Sequence, residues 1–242
     1  MLERRRRSVS QTLLHEVVTG QLAGWNAAGG PLEIVDLGGG TGGVALGLAG
    51  LGHAVTVVDP SPDALASLQR RTDEVRPSGP VRGVQGDAAD LVGLVGTAAV
   101  DVVVCHRVLE VVDDPAAALT AAAAVLRPGG ALSLAVAQRH ALVLSQALAG
   151  HVATARRTYA DPARLDHDAV TRLVAAAGFT VRAAHGVGAV ADHVPESLLE
   201  AEPGAHADLL ALEREVSADE SFRRVAPLLH VFAERGPGRP VG

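Results

Sequence analysis

Asp36-Leu37-Gly38-Gly39-Gly40-Thr41-Gly42-Gly43 is the stretch on which the fold turns. It follows the short apolar run Leu32–Leu37 and precedes Val44–Leu51, a helical segment closed by Gly52. An apolar run ending in glycines reads as a buried parallel strand. Glycines there let the backbone turn tightly and let a ligand approach without Cβ interference. The amides that open the next helix add a partial positive charge.

Outward from this loop, strands and helices alternate. Ala54–Val58 reads as a second strand, and Ser61-Pro62 opens a helix with proline at its first position, running to about Glu74. Val81–Gln85 and Val100–Cys105 follow as strands. The alanine-rich Pro115–Leu126 helix is stopped by Arg127-Pro128-Gly129-Gly130, and Ala131–Ala137 is a fifth strand. A helix at Asp168–Ala177 and strands at Phe179–Ala184 and Leu228–Glu234 complete the set. The pattern predicts a doubly wound α/β fold with a seven-stranded, mostly parallel sheet. Residues 1–30 form an N-terminal helical segment and 31–242 one domain. His140–Arg164 and Gly188–Ala226 fall outside the alternation and are expected to be helical insertions capping the substrate side (about 138–165 and 188–226).

The glycine loop admits two ligand readings. Gly38, Gly40 and Gly43 satisfy the dinucleotide pattern G-x-G-x-x-G, and Asp59 ends the second strand 21 residues after Gly38, where an acid reaches ribose hydroxyls. Asp36 tilts against a dinucleotide, because its charge would face a pyrophosphate but would suit a cationic ligand. Asp87, after the third strand in Gly86-Asp87-Ala88, is placed for an exocyclic amine.

Composition removes other chemistries. The basic residues number 21 and every one is arginine, so no lysine can form a Schiff base with a substrate or with pyridoxal phosphate. The lysine of phosphate-loop nucleotidases and of protein kinases is missing too. The single cysteine, Cys105, excludes a disulfide framework and a multi-cysteine zinc site, and the ten histidines show no ligand spacing, so no metal is expected. No run approaches the roughly 18 apolar residues of a membrane span. Arg4–Arg7 is followed by no apolar region of a signal peptide. A cytoplasmic protein without a membrane partner is expected.

Four motifs in order carry a resemblance: Asp36-Leu37-Gly38-Gly39-Gly40-Thr41-Gly42, Val57-Val58-Asp59-Pro60-Ser61, Gly86-Asp87-Ala88 and Leu126-Arg127-Pro128-Gly129-Gly130. The set resembles the class I S-adenosylmethionine (SAM) methyltransferases. That resemblance implies a Rossmann-like methyltransferase fold with SAM as cofactor and S-adenosylhomocysteine as product. It implies that Gly38, Gly39, Gly40, Thr41 and Gly42, above Asp36, cradle the methionine part. Asp59, with Pro60 beside it, would bind the ribose diol, and Asp87 with Ala88 would frame the adenine. His106 lies in the stretch that borders the methyl group in this fold. Over most of the chain after about residue 30, Cys105–Pro115, Ala131–Leu134, the His140–Gly150 helix, Ala177-Gly178-Phe179 and Leu229–Ala233 are similar to the bacterial tRNA 5-carboxymethoxyuridine methyltransferases. The likeness breaks after Gly186-Val187, where Gly188 and His193 stand at that family's arginine and tyrosine positions.

Charge weighs on the acceptor. Arg139–Arg164 holds four arginines against Asp161, but Gly188–Ala226 holds nine acids against three arginines, and the whole chain carries a net charge of -6. RNA affinity is dominated by phosphate neutralisation, and aromatic residues at 2% leave few stacking platforms for an unpaired base. The expectation is methyl transfer to an oxygen, or a nitrogen, of a small molecule. A tRNA wobble-uridine carboxyl group and a non-catalytic SAM-binding module are the alternatives. A carboxylate acceptor needs no base, whereas a phenol or hydroxyl often does. His106, and after it His140, are the candidate bases, the alternative for His106 being a neutral ring hydrogen-bonded to backbone at a strand end. Arg107 could grip an acidic acceptor or pair with Glu110, and Tyr159 and His193 are candidate acceptor contacts.

Overall fold

The computed structural model describes residues 8–236 of the chain. Arg4–Arg7 lies outside the described residues. In chain order the first elements are α1 (Val9–Trp25), β1 (Glu33–Leu37), α2 (Ala45–Gly50), β2 (Ala54–Asp59), α3 (Pro62–Val75) and β3 (Val81–Gln85). Then come α4 (Leu91–Val95), β4 (Val100–His106), α5 (Pro115–Val125), β5 (Leu126–Ala137), α6 (Arg139–Leu148) and α7 (Val152–Ala160). Next are α8 (His167–Ala176), β6 (Phe179–Val187), α9 (Glu196–Ala201), α10 (Ala205–Ser217), α11 (Glu220–Arg223) and β7 (Leu228–Arg235).

The seven strands form one sheet in the order β3-β2-β1-β4-β5-β7-β6. Pairings β1 with β2, β1 with β4, β2 with β3 and β4 with β5 are all parallel. Arg182 pairs with Glu234, and the Gly236 amide donates to the Gly178 carbonyl, so β6 and β7 run in opposite directions. The chain leaves β1 in one direction to reach β2 and later returns to β1's other side as β4. That reversal of strand order is where such sheets open a crevice beyond the strands' carboxyl ends.

The chain divides into two compact units. One gathers Leu22–Val136, Asp168–Ala183 and the chain from Val231, and so holds β1 to β4. Its core is aliphatic: Ile34, Val35 and Leu37 of β1, Val57 and Val58 of β2, and Val102, Val103 and Val104 of β4 are all buried. Near-continuous burial of this kind follows from covering a parallel sheet on both faces. Capping is local and chemical. Ser61 Oγ accepts the Ala64 amide and Asp114 Oδ1 accepts the Ala117 amide, each with proline at the first helical turn. The other unit gathers the described residues up to Gln21, Ala137–His167 and Ala184–His230, which are largely helical. Within it Arg214 pairs with Glu16 and Arg139 with Asp166.

Three elements differ from the sequence expectation, one being β6, which runs on to Val187 and does not stop at Ala184. Leu91–Val95 forms a helix that Gly93 and its five-residue length had hidden. β5 begins at Leu126, not Ala131, because Val100 already pairs with Leu126 and the Pro128–Gly130 stretch is taken up as an irregularity between that pair and Val102–Ala131.

Candidate functional site

The glycine loop leaves β1 held to its neighbour, since the Gly38 amide donates to the Val58 carbonyl at 2.7 Å. Gly38 has φ +68, a conformation side chains rarely adopt, and a Cβ there would also lie 2.5 Å from Val108. Gly39 is required for a different reason: its missing Cβ would sit 2.5 Å from Asp36 Oδ2 and 3.0 Å from Val57. The Thr41 carbonyl and hydroxyl both accept from Arg71, which pins the far side of the loop to α3, and Gly42 is packed on Leu68.

Two carboxyls lie against this loop. Asp36 is 2% exposed, and burial above all, with Asp59 adding its charge against a hydrogen bond from the Ala45 backbone, pushes its pKa up to about 7. Asp59 is 8% exposed; its Oδ2 accepts from the Gly40 amide and its Oδ1 from the Ser61 amide, each at 2.9 Å. An ionised carboxylate has about four acceptor directions, so two remain for ligand hydroxyls.

A cavity of about 860 Å³ opens beside the loop. Gly38, Asp59, Pro60, Asp87, Ala88 and Arg107 all line it, so the structure brings together residues from four different loops of the sequence. Its other walls are apolar, from Val108, Val111 and Val112 after β4 and from the alanine face of α5. Those valines and alanines escaped the sequence reading, although their i, i+3, i+4 spacing was the signal. The Asp87 carboxylate turns back on its own loop and accepts the Ala89 and Asp90 amides. Arg107 adopts φ +59 at the end of β4, held by its amide donating to the Ala135 carbonyl at 2.7 Å.

His106 is the last residue of β4, and its Nε2 lies 3.0 Å from Ser133 Oγ. Desolvation pushes its pKa down to about 4. The ring is therefore neutral at physiological pH and a weak proton acceptor. His140, Tyr159 and His193 belong to the other compact unit. His140 is half-buried, His193 exposed, and Tyr159 is 62% exposed with the Arg139 guanidinium 6.0 Å from its ring centre. Among the described residues no three of His, Cys, Asp and Glu are gathered to hold a metal, and no helix is long and apolar enough to cross a membrane.

Residues 35–134 match the family model described as a methyltransferase domain. The chain carries a class I SAM-dependent methyltransferase domain. The methyltransferase is 27% identical over 212 residues to the tRNA 5-carboxymethoxyuridine methyltransferase of Escherichia coli (strain K12), covering 84% of this chain and 80% of that one. It is 33% identical over 120 residues to the ubiquinone biosynthesis O-methyltransferase of Xanthomonas campestris pv. campestris (strain B100), covering 49% and 48%. Its fold matches that of the magnesium protoporphyrin IX methyltransferase of Synechocystis PCC 6803 with bound S-adenosylhomocysteine (TM-score 0.63, 17% identity, 94% and 84% covered). The enzyme's cofactor is SAM, and the site fits it. Acids and no lysine face a ligand that bears a sulfonium and an ammonium, and the apolar cavity wall adjoins Asp87 and Ala88.

Proposed function

We propose that this enzyme transfers the methyl group of SAM to an acceptor oxygen of a small molecule, and that the oxygen arrives already ionised, as a carboxylate does. The observation that carries this reading is His106: tied to Ser133 and with its pKa pushed down to about 4, it is too weak a base to take a proton from an alcohol or phenol. A carboxylate needs none. SAM supplies an activated methyl on a good leaving group, so the protein's task is alignment. In this reading Gly38, Gly39, Gly40, Thr41 and Gly42 hold the methionine part over Asp36. Asp59 accepts the ribose hydroxyls with its two remaining directions, Pro60 shapes that turn, and Ala88 with Asp87 borders the adenine. Arg107, a cation on the cavity wall, is proposed to draw the acceptor's negative charge.

The acid-rich cavity wall supports a small acceptor over a polyanion, since Asp59, Asp87, Asp113 and Asp114 stand there against Arg107. The 27% identity over 84% of the chain favours a second reading, a carboxylated wobble uridine in tRNA, which would use the same base-free chemistry. Incubation with methyl-labelled SAM and separate small-metabolite and tRNA fractions decides between them. Label in the small-metabolite fraction is expected; label confined to tRNA replaces the first reading with the second.

A further inference from the structure

Asp36 is a buried acid to which the transfer itself assigns no step. It sits on β1 directly under Gly39, and the room it occupies is the room that glycine leaves. The Ala45 backbone amide donates to this carboxyl, but its Oδ2 is closed off from solvent and has no hydrogen-bond partner among the described residues. Asp59 reaches the same loop from β2, but each of its oxygens already accepts one backbone amide. A dry, bare carboxylate oxygen near a second carboxyl is most stable with a proton on it. A positive charge seated above would reverse that preference.

We propose that Asp36 is the site of a proton release coupled to cofactor binding: the cofactor's ammonium group, held on the glycine loop, replaces the Asp36 proton, which leaves to solvent. This rests on the seating of the methionine part on Gly38–Gly42. No bond other than the O–H of Asp36 breaks, and the released proton balances the incoming charge.

Titratable groups reach this cluster from β2, from β4 and from Glu110 after β4. β2 brings Asp59. β4 brings Cys105, whose thiol is pushed up to about 12 by burial first and by Glu110 and Asp36 after it. It also brings His106, which is neutral above about 4. Neither of these changes charge between pH 5 and 8. α2 (Ala-Leu-Gly-Leu-Ala-Gly) brings no charged side chain. Asp36, brought to about 7, does change charge in that range.

The sign is fixed by linkage. If binding lowers the Asp36 pKa from about 7, affinity is full above that pH and weakens as pH falls through it. The ligand's own ammonium loses its proton near pH 8, so the informative range lies below 7. The experiment is isothermal titration of the full chain with S-adenosylhomocysteine, which carries the same ammonium, in two buffers of different ionisation enthalpy. The expected result is release of about 0.9 proton per ligand at pH 6, and an affinity about fivefold higher at pH 7 than at pH 6. Asp36→Asn is expected to abolish both. Without any variant, infrared difference spectra should show the protonated carboxyl band disappearing when the ligand is added. Binding with buffer-independent heat at pH 6, or proton release that persists in Asp36→Asn, overturns the proposal and leaves the cofactor site standing. Failure of the wild-type chain to bind S-adenosylhomocysteine at all overturns both.

Discussion

Ser133 on β5 holds the ring of His106 on β4, Oγ to Nε2 at 3.0 Å, across two strands that pair in parallel. The bond turns a histidine at a strand end, one residue before Arg107 of the cavity wall, into part of the sheet. In the proposed reading it also bears on the chemistry, because an imidazole whose pKa is pushed down to about 4 is a poor base for an alcohol.

That arrangement has a pH signature in stability. The His106 pKa is about 4 in the folded chain, below its ordinary 6.5, so the unfolded chain binds the extra proton first. Stability from this group is whole above pH 6.5 and is lost as pH falls toward 4, by at most about 3 kcal/mol. His106→Gln should lose less stability on acidification over that range, measured by urea denaturation at a series of pH values. A parallel decline in both proteins would mean the ring is solvated.

Gly39→Ala places a methyl 2.5 Å from the Asp36 carboxyl. Neither Asp36 nor Val57, both in the sheet, can withdraw freely, so the variant should lose about 1–3 kcal/mol of stability. Affinity for S-adenosylhomocysteine should fall with it. Thermal melts with and without the ligand read both effects.

Asp59→Ala removes the acceptor of two loop amides, Gly40 and Ser61. Loss of SAM binding in calorimetry is expected, together with a destabilisation of about 1–3 kcal/mol. Unchanged affinity would contradict the assignment of Asp59 to the ribose.

Glu213 on α10 is fully buried and accepts the amides of Gly188, Val190 and Ala191 at 3.2, 2.5 and 2.6 Å. These amides lie in the segment that directly follows β6. Glu213→Ala should cost about 3 kcal/mol, since one buried and two part-buried donors lose their partner. Hydrogen exchange should report lost protection at those three amides before the rest of the unit.

The glycine loop, Asp59 at the end of β2 and the succession of strands along the chain were legible in the sequence because each rests on local chemistry: a backbone that needs glycine, an acid at a fixed offset, an apolar run between breakers. What stayed hidden is non-local. Ser133 lies 27 residues from His106 and meets it only through the β4–β5 register. The burial of Asp36 depends on what packs above it, so its charge read as a fixed negative when the folded chain brings its pKa to about 7. Arg127-Pro128-Gly129-Gly130 read as a stop, yet the backbone there is already entering β5. Glu213 carried no motif, and only the fold shows which loop it holds.

The most direct test of base-free transfer to an ionised oxygen is the fate of the methyl group in the product. After turnover with methyl-labelled SAM and the small-metabolite fraction, the product is treated with mild alkali. A carboxylate acceptor gives a methyl ester, so the account predicts release of the label as volatile methanol. Label that survives alkali as an ether or N-methyl group would contradict it.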